Sequence, residues 1–524
     1  MNKTINKKRL ATALLTLSLL ACYPAIAANK SNHIEKRSWV RVTSENFSVI
    51  SDEGQEVATE LATQLEMFRK TFALFSRHPL PSQMRPVKVF SVDYSKAYEV
   101  LAGGPSSFSG WFVDRRAGNY AIMRARKLES KATRRQSSIA LLFHEYTHYL
   151  AANMAAVDLP FWYSEGLADY LSTIRFEDGN KIVYGLPIEY HQRSIRYGTW
   201  VPMKTLLNGT RGNLSYDQYF RIYPQGWLMV HYFQADAERH KQMSKYFELL
   251  DSGVSVDAAV EQAFEKTYLE LDRALKAYAK TRRLPYSLIT LDKAWDVGDI
   301  KVETMPTSTV LFEVGEFLLN GGAEIVKGES RTKKLLEYDQ KREANARQLF
   351  ERAIELESGH SGALAGLAKI QLATSPIEAA KTIAEIKLDA HLLPWISTVS
   401  GQINTRLMVE ATTEQQRKQY RSLAVADYNR AIKQDPHNVG AIAGAAGLYS
   451  QEAQWGKAAD LLEVALSIAP SNSSLRKDLI RAYFQTGRSA DAEAEVEIIK
   501  RDAHHSSKSL EAFEKWVEDI KSMN

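Results

Sequence analysis

Leu141-Leu142-Phe143-His144-Glu145-Tyr146-Thr147-His148-Tyr149-Leu150 is the stretch on which the reading of this chain turns. Its apolar residues predict a helix with a few polar groups set into it. A helix turns about 100° per residue, so positions four apart share a face, one turn apart. His144 and His148 can therefore aim two imidazoles at one ion. Zinc takes neutral imidazole and carboxylate ligands in a tetrahedral set and, at reactive sites, leaves one position to water. Glu145 stands beside the first histidine, where it can reach that water as a general base without ligating. The plain alternative is a helix with two partly buried histidines and a satisfied glutamate. Unpaired polar groups would be costly in so apolar a helix.

A second helix strengthens the zinc reading. After Pro160 the chain runs Phe161-Trp162-Tyr163-Ser164-Glu165-Gly166-Leu167-Ala168-Asp169-Tyr170. Glu165 and Asp169 are four apart, so both carboxylates face one side. Glu165 can be the third metal ligand. Asp169 can accept the free ring N–H of His144 and fix its tautomer. The two helices are expected over 137–154 and about 161–174.

HExxH followed by WxxEGxAxY resembles the gluzincin metallopeptidases, and within them the peptidase-MA-like group of secreted bacterial proteins. The resemblance spans roughly residues 39–282, and its specific part is the two helices. It implies an α+β zincin-like domain with a mixed sheet beside the active helix. An edge strand of that sheet would align a peptide by main-chain pairing. Gly110-Trp111-Phe112-Val113 or Tyr120-Ala121-Ile122-Met123 could supply it, and either could equally be a core strand. Such sites also need a group to stabilise the tetrahedral oxyanion. The family often draws it from a Tyr or His on a later helix, which points to Tyr223, with Tyr219 and His231 as further candidates. A clear amino-terminus-binding signature is lacking, so the resemblance does not imply an aminopeptidase.

Around these motifs the chain alternates strands and helices. Trp39–Val42, Phe47–Ile50 and Val87–Val92 have strand character. Residues 54–77 have helical spacing, with Val57, Leu61, Leu65, Phe68 and Phe72 on one face. Further helices are expected from about 224 to 281. Residues 283–307, with Pro285 and Pro306, look irregular and are expected to be a linker. Beyond it, Ala431, Pro436 and Asn438 recur as Ala465, Pro470 and Asn472, each at an offset of 34 residues. That is the period of the tetratricopeptide repeat. Tyr449 recurs as Tyr483 by the same offset, and Ala346, Phe350 and Ala353 form a more distant unit. A lengthened helix or loop is expected around 390–420. Such helix pairs stack into a curved array with a concave surface. A generic helical bundle is the alternative. The expected repeat domain is 308–505, with a C-terminal helix or tail at 506–524. The fold class is thus an α+β domain followed by an all-α solenoid.

At the N-terminus, Lys3, Lys7, Lys8 and Arg9 precede the apolar run Leu10–Ala21, Pro24 and Ala25-Ile26-Ala27. This has the form of a signal peptide, residues 1–27, cleaved after Ala27 to leave the chain in the periplasm or cell envelope. Leu19-Leu20-Ala21-Cys22 also resembles a lipobox, which would instead anchor the protein through Cys22. The full chain has 67 basic and 62 acidic residues, and four of the basic ones lie in this leader. The remainder is almost neutral, which argues against nucleic acid as a partner. Cys22 is the one cysteine, so the mature chain has neither disulfides nor thiol chemistry. No apolar run after residue 30 is long enough for a transmembrane helix. A basic cluster, Arg115, Arg116, Arg124, Arg126, Lys127, Lys131, Arg134 and Arg135, reads as a solvated face or as an attractor of acidic substrates or lipid heads.

These readings predict a secreted zinc endopeptidase in which zinc-bound water attacks a peptide carbonyl. His144, His148 and Glu165 would be its ligands and Glu145 its base, and its repeats would recruit a protein substrate or partner. The alternative is a repeat-based assembly factor or chaperone of the envelope with a vestigial or regulatory zinc site. A non-peptidase zinc hydrolase is a third possibility.

Overall fold

The computed structural model describes residues 31–76, 80, 84–102, 110–124, 138–154, 159–210, 213–321, 331–387, 393–501 and 507–522. The signal peptide and lipobox expectations lie outside these residues, as do Arg126, Lys127, Lys131, Arg134 and Arg135 of the basic cluster. Among the described residues no helix is long and apolar enough to cross a membrane.

The strands are β1 (Trp39–Thr43), β2 (Phe47–Ser51), β3 (Val87–Val92), β4 (Gly110–Arg115), β5 (Gly118–Arg124), β6 (Arg175–Glu177), β7 (Lys181–Tyr184), β8 (Ser287–Thr290) and β9 (Lys301–Met305). Six of them form a mixed sheet in the order β4-β5-β3-β2-β1-β9. The β2–β3 and β3–β5 pairs are parallel, and the other three are antiparallel. Side chains alternate between faces with period two. Ala121 and Met123 enter one core, while Tyr120 and Ile122 enter another.

The first core is built by α1 (Gln55–Phe75), by α3 (Ser138–Ala152) and by the helices that follow it; α2 (Ser95–Leu101) lies on the other face. The apolar stripe read for 54–77 points here: Leu61, Leu65, Phe68 and Phe72 are all buried. Phe68 stacks on Phe143 of α3 with ring centroids 4.1 Å apart. Next come α4 (Phe161–Leu171), α5 (Glu189–Tyr197), α6 (Met203–Asn208), α7 (Tyr216–Gln234), α8 (Ala237–Asp251), α9 (Val256–Phe264) and α10 (Tyr268–Ala279).

The expected linker 283–307 is instead part of two sheets. β8 extends the small β6-β7-β8 sheet. β9 pairs with β1 over its whole length, from Trp39 opposite Met305 to Thr43 opposite Lys301. The prolines mark ends of elements: Pro285 precedes β8, and Pro306 is the N-cap residue of α11 (Thr307–Asn320).

The boundary at 308 shifts for the same reason. Val310, Leu311, Val314 and Phe317 of α11 join Phe90, Tyr120 and Ile122 in the second core, together with Phe350 and Ala363 further on. Lys88 of β3 reaches Glu313 at 2.6 Å and Glu316 at 3.0 Å across this junction, and Arg41 of β1 also bonds Glu313. The first helices of the expected repeat domain therefore cover the sheet.

The array continues through α12 (Arg331–Leu356), α13 (Ser361–Gln371), α14 (Pro376–Ala384), α15 (Pro394–Glu410), α16 (Glu414–Gln434), α17 (Val439–Gln451), α18 (Trp455–Ile468), α19 (Ser473–Gln485), α20 (Ser489–Arg501) and α21 (Ser507–Ser522). The lengthening expected near 390–420 appears as the long helices α15 and α16. Asn438 and Asn472 recur because each caps the next helix, accepting from the backbone N–H of Ala441 and Leu475. Ala431 and Ala465 recur because each is buried between helices. The tail expected at 506–524 includes helix α21, whose Phe513, Val517 and Ile520 close the last core.

Candidate metal centre

α3 presents His144 and His148 on one face, and α4 brings Glu165 opposite them. The Nε2 atoms of the histidines lie 3.2 Å apart. Oε2 of Glu165 lies 3.4 Å from Nε2 of His144 and 3.3 Å from Nε2 of His148. Among the described residues this is the group of three that can hold a metal ion. A tetrahedron with ligands at 2.0–2.1 Å has edges of about 3.3 Å, so the triangle has the size zinc requires.

The outer ring nitrogens are held in place as well. Nδ1 of His144 lies 2.9 Å from Oδ1 of Asp169, as expected from the sequence. Nδ1 of His148 lies 3.1 Å from Oγ of Ser164. With a proton on Nδ1 facing the Asp169 carboxylate, the Nε2 lone pair of His144 points inward, alongside a carboxylate oxygen. Two ring nitrogens and a carboxylate oxygen at this spacing favour a positive charge among them. Burial disfavours charge on His144, but hydrogen bonds to Asp169 and Glu165 outweigh it and raise its pKa well above the usual histidine value. Burial likewise opposes ionisation of Glu165, yet His144 and His148 hold its pKa well below the usual carboxylate value.

Two members of this shell were not read from the sequence. Oδ2 of Asp169 lies 2.5 Å from Nε2 of His191, a buried residue on α5. Asp169 and His191 lie on different helices with β6 and β7 between them, so no local pattern marks the pair. Ser164 is adjacent to the candidate ligand Glu165, and that adjacency was its one available signal.

Of the three oxyanion candidates, Tyr223 is the one brought to the ligands. Its hydroxyl donates to Oε1 of Glu165 at 3.3 Å and lies 3.1 Å from the hydroxyl of Tyr219. A close helix crossing places it there. A Cβ on Gly166 would fall 2.4 Å from the backbone carbon of Gly226, and one on Gly226 would fall 2.3 Å from the carbonyl oxygen of Trp162. Two glycines let α4 and α7 touch backbone to backbone. His231 is engaged elsewhere, with its ring nitrogens 2.9 Å from the Tyr278 hydroxyl and 3.0 Å from the Gly185 carbonyl.

Glu145 is not one of the three donors; it is half-buried and lines a cleft of about 1970 Å³ with His148. β4 is one of the two edge strands of the described sheet and runs beside α3, with the Phe112 ring 4.7 Å from that of Tyr149. Tyr120–Met123 belongs to β5, which is paired on both sides and so cannot be the aligning edge. The far wall of the cleft comes from the repeats, including Trp395, Asn438, Asn472 and Arg476. Of the described basic cluster, Arg124 stacks on Tyr98, and Arg116 bonds Asp478 of α19 at 2.5 Å.

The tetratricopeptide-repeat family matches residues 450–510. No curated protein matches the chain. Among solved structures, it is similar to a thermophilic tetratricopeptide-repeat protein of Thermus thermophilus, with 18% identity over 40% of this chain and 98% of that one and a TM-score of 0.32. It is also similar to the MamA protein, at 15% identity over 37% and 89% with a TM-score of 0.25. A tetratricopeptide-repeat protein from Parabacteroides merdae matches at 13% identity over 51% and 80%, with a TM-score of 0.26. The family match places tetratricopeptide repeat sequence at residues 450–510, and the equivalent caps at Asn438 and Asn472 fit that repeat.

Proposed function

We propose that this chain binds a protein partner through its repeats and hydrolyses a peptide bond at a zinc centre held by His144, His148 and Glu165. One observation carries the proposal: three donor atoms at tetrahedral spacing lie beside the same cleft as Glu145, β4 and the repeat wall. A zinc ion there would supply Lewis acidity and lower the pKa of water. Glu145 would take the proton from the attacking water and pass it to the leaving amine nitrogen. Asp169 holds His144 in the ligating tautomer. The Tyr223 hydroxyl is near enough to turn toward a carbonyl oxygen as negative charge builds on it. The outer edge of β4 offers main-chain pairing to an extended peptide. In the decisive test, Glu145→Gln should keep one zinc per chain and lose peptide cleavage. Cleavage at the parent rate would exclude this mechanism.

A second reading is favoured by where the family match falls. It covers repeats and not the metal centre, which supports a binding or assembly role better than hydrolysis. On that reading the chain is an envelope assembly factor or chaperone, and its zinc site is regulatory or vestigial. Rescue of a deletion phenotype by Glu145→Gln, but not by Trp395→Ala with Arg476→Glu on the repeat wall, would select it. A zinc hydrolase acting on other bonds would emerge from a substrate screen. Residence in the periplasm or envelope rests on the leader sequence, and cell fractionation tests it.

A further inference from the structure

Among the described residues, the repeats meet the first half of the chain both at their start and far along the array. Their first helices are fixed to the sheet through the second core, where Phe317 and Phe350 join Phe90 and Tyr120. Far along the array, polar side chains touch again. Arg116, at the tip of the β4–β5 hairpin, donates to Oγ of Ser474 at 2.6 Å and to Oδ2 of Asp478 at 2.5 Å. Oγ of Ser471 donates to Oδ1 of Asn153 at 3.3 Å, just past the end of α3. Arg116 and Asp478 are 37% and 39% exposed, so their attraction is screened and weak. One end of the array is anchored and the other is lightly clasped.

Between anchor and clasp lies the cleft that holds Glu145 and His148. Its volume of about 1970 Å³ is roughly twice the upper end of small-molecule pockets. A folded domain of about 60 residues occupies on the order of 10⁴ Å³, some five times more. A stretch of chain without tertiary structure fits within it, whereas a folded domain could enter only by a protruding part. Several polar groups of the repeat wall are engaged within the protein. Asn438 and Asn472 cap helices, and Arg476 pairs with Glu495. Such a wall favours shape and extension over a particular sequence.

We propose that the cleft takes up its protein partner as an unfolded segment between β4 and the inner face of the repeats, and that Arg116, by holding Asp478 and Ser474, keeps it too narrow for a folded domain. The cutting of that segment rests on the peptidase reading; its uptake does not. The test uses the full chain carrying Glu145→Gln, with fluorescence anisotropy as the readout. The probes are one reduced and alkylated protein, permanently unfolded, and the same protein in its native form. The unfolded form should bind and the native form should not. Arg116→Glu or Asp478→Arg should each narrow that ratio about two- to fivefold, and the double exchange should restore it. Equal binding of both forms, or single variants with the parent's ratio, would overturn the proposal.

A second arm guards against misfolded variants. Asn153→Cys and Ser471→Cys, in a Cys22→Ser background, are joined by a short bismaleimide. The linked chain should keep its selectivity even with Arg116→Glu; loss of selectivity despite the link would overturn the clasp. If the unmutated chain cleaves neither probe while the Glu145→Gln chain still discriminates, the peptidase reading falls and this one stands. If it cleaves but binds both forms alike, the reverse holds.

Discussion

Nδ1 of His144 lies 2.9 Å from one oxygen of Asp169, which leaves Nε2 as the ring nitrogen that faces His148 and Glu165. Asp169→Asn should keep the fold but weaken zinc binding by about 10- to 100-fold, measured by competition with a chromophoric chelator. His191→Gln should give a smaller loss, because it reaches the site through the other oxygen of Asp169. An Asp169→Asn protein with unaltered zinc affinity would remove the aspartate from this role.

Gly166→Ala tests the helix crossing behind Glu165. The new methyl meets Gly226 backbone at 2.4 Å, where no side chain can yield. Overpacking of this kind costs about 1–3 kcal/mol. Thermal melting should show the loss, and zinc stoichiometry should fall below one as Glu165 and Tyr223 separate. A melting curve superimposable on the parent's would contradict the close contact.

Residues 39–282 should not fold as an independent unit. Without β9 the sheet loses its last strand, and without α11 the side chains of Phe90, Val92 and Ile122 face water. A fragment covering 31–387 should unfold cooperatively in urea, whereas 39–282 should aggregate or bind a hydrophobic dye. Cooperative unfolding of the shorter fragment would sink this expectation.

Glu53 offers a pH test away from the metal. Burial, with the negative charges of Asp52 and Asp93, raises its pKa from 4.5 to about 7. The folded state therefore binds the proton more tightly than the unfolded state, and stability falls as pH rises from about 4.5 to 7. Glu53→Gln should raise the melting temperature at about pH 8 and leave it nearly unchanged at about pH 4. A shift of equal size at both pH values would mean that ionisation is not the cause.

The sequence carried the parts of this molecule that depend on local periods. His144 and His148 are one helical turn apart, as are Glu165 and Asp169, and those turns exist as read. The caps at Asn438 and Asn472 were legible because the repeat makes one local solution occur twice. What stayed hidden depends on pairing across long separations. Arg41 and Glu303 meet across 262 residues, and nothing near either one announces β9. The prolines flanking β9 suggested irregular chain, although Pro306 opens a helix. His191 reaches Asp169 from a third helix. The choice between β4 and β5 as the edge required the strand order, which neither stretch contains.

The late strand β9 also sets an order of assembly. Its partner β1 is synthesised long before it, so the growing chain carries a sheet with an open edge and one face covered only in part, by α2. That face is covered as α11 and the helices after it arrive. The cleft cannot be completed before the helices that form its opposite wall have been made. On the proposed function, the half that carries His144, His148 and Glu165 would not mature ahead of the repeats, and any cutting would begin with the selecting surface already present.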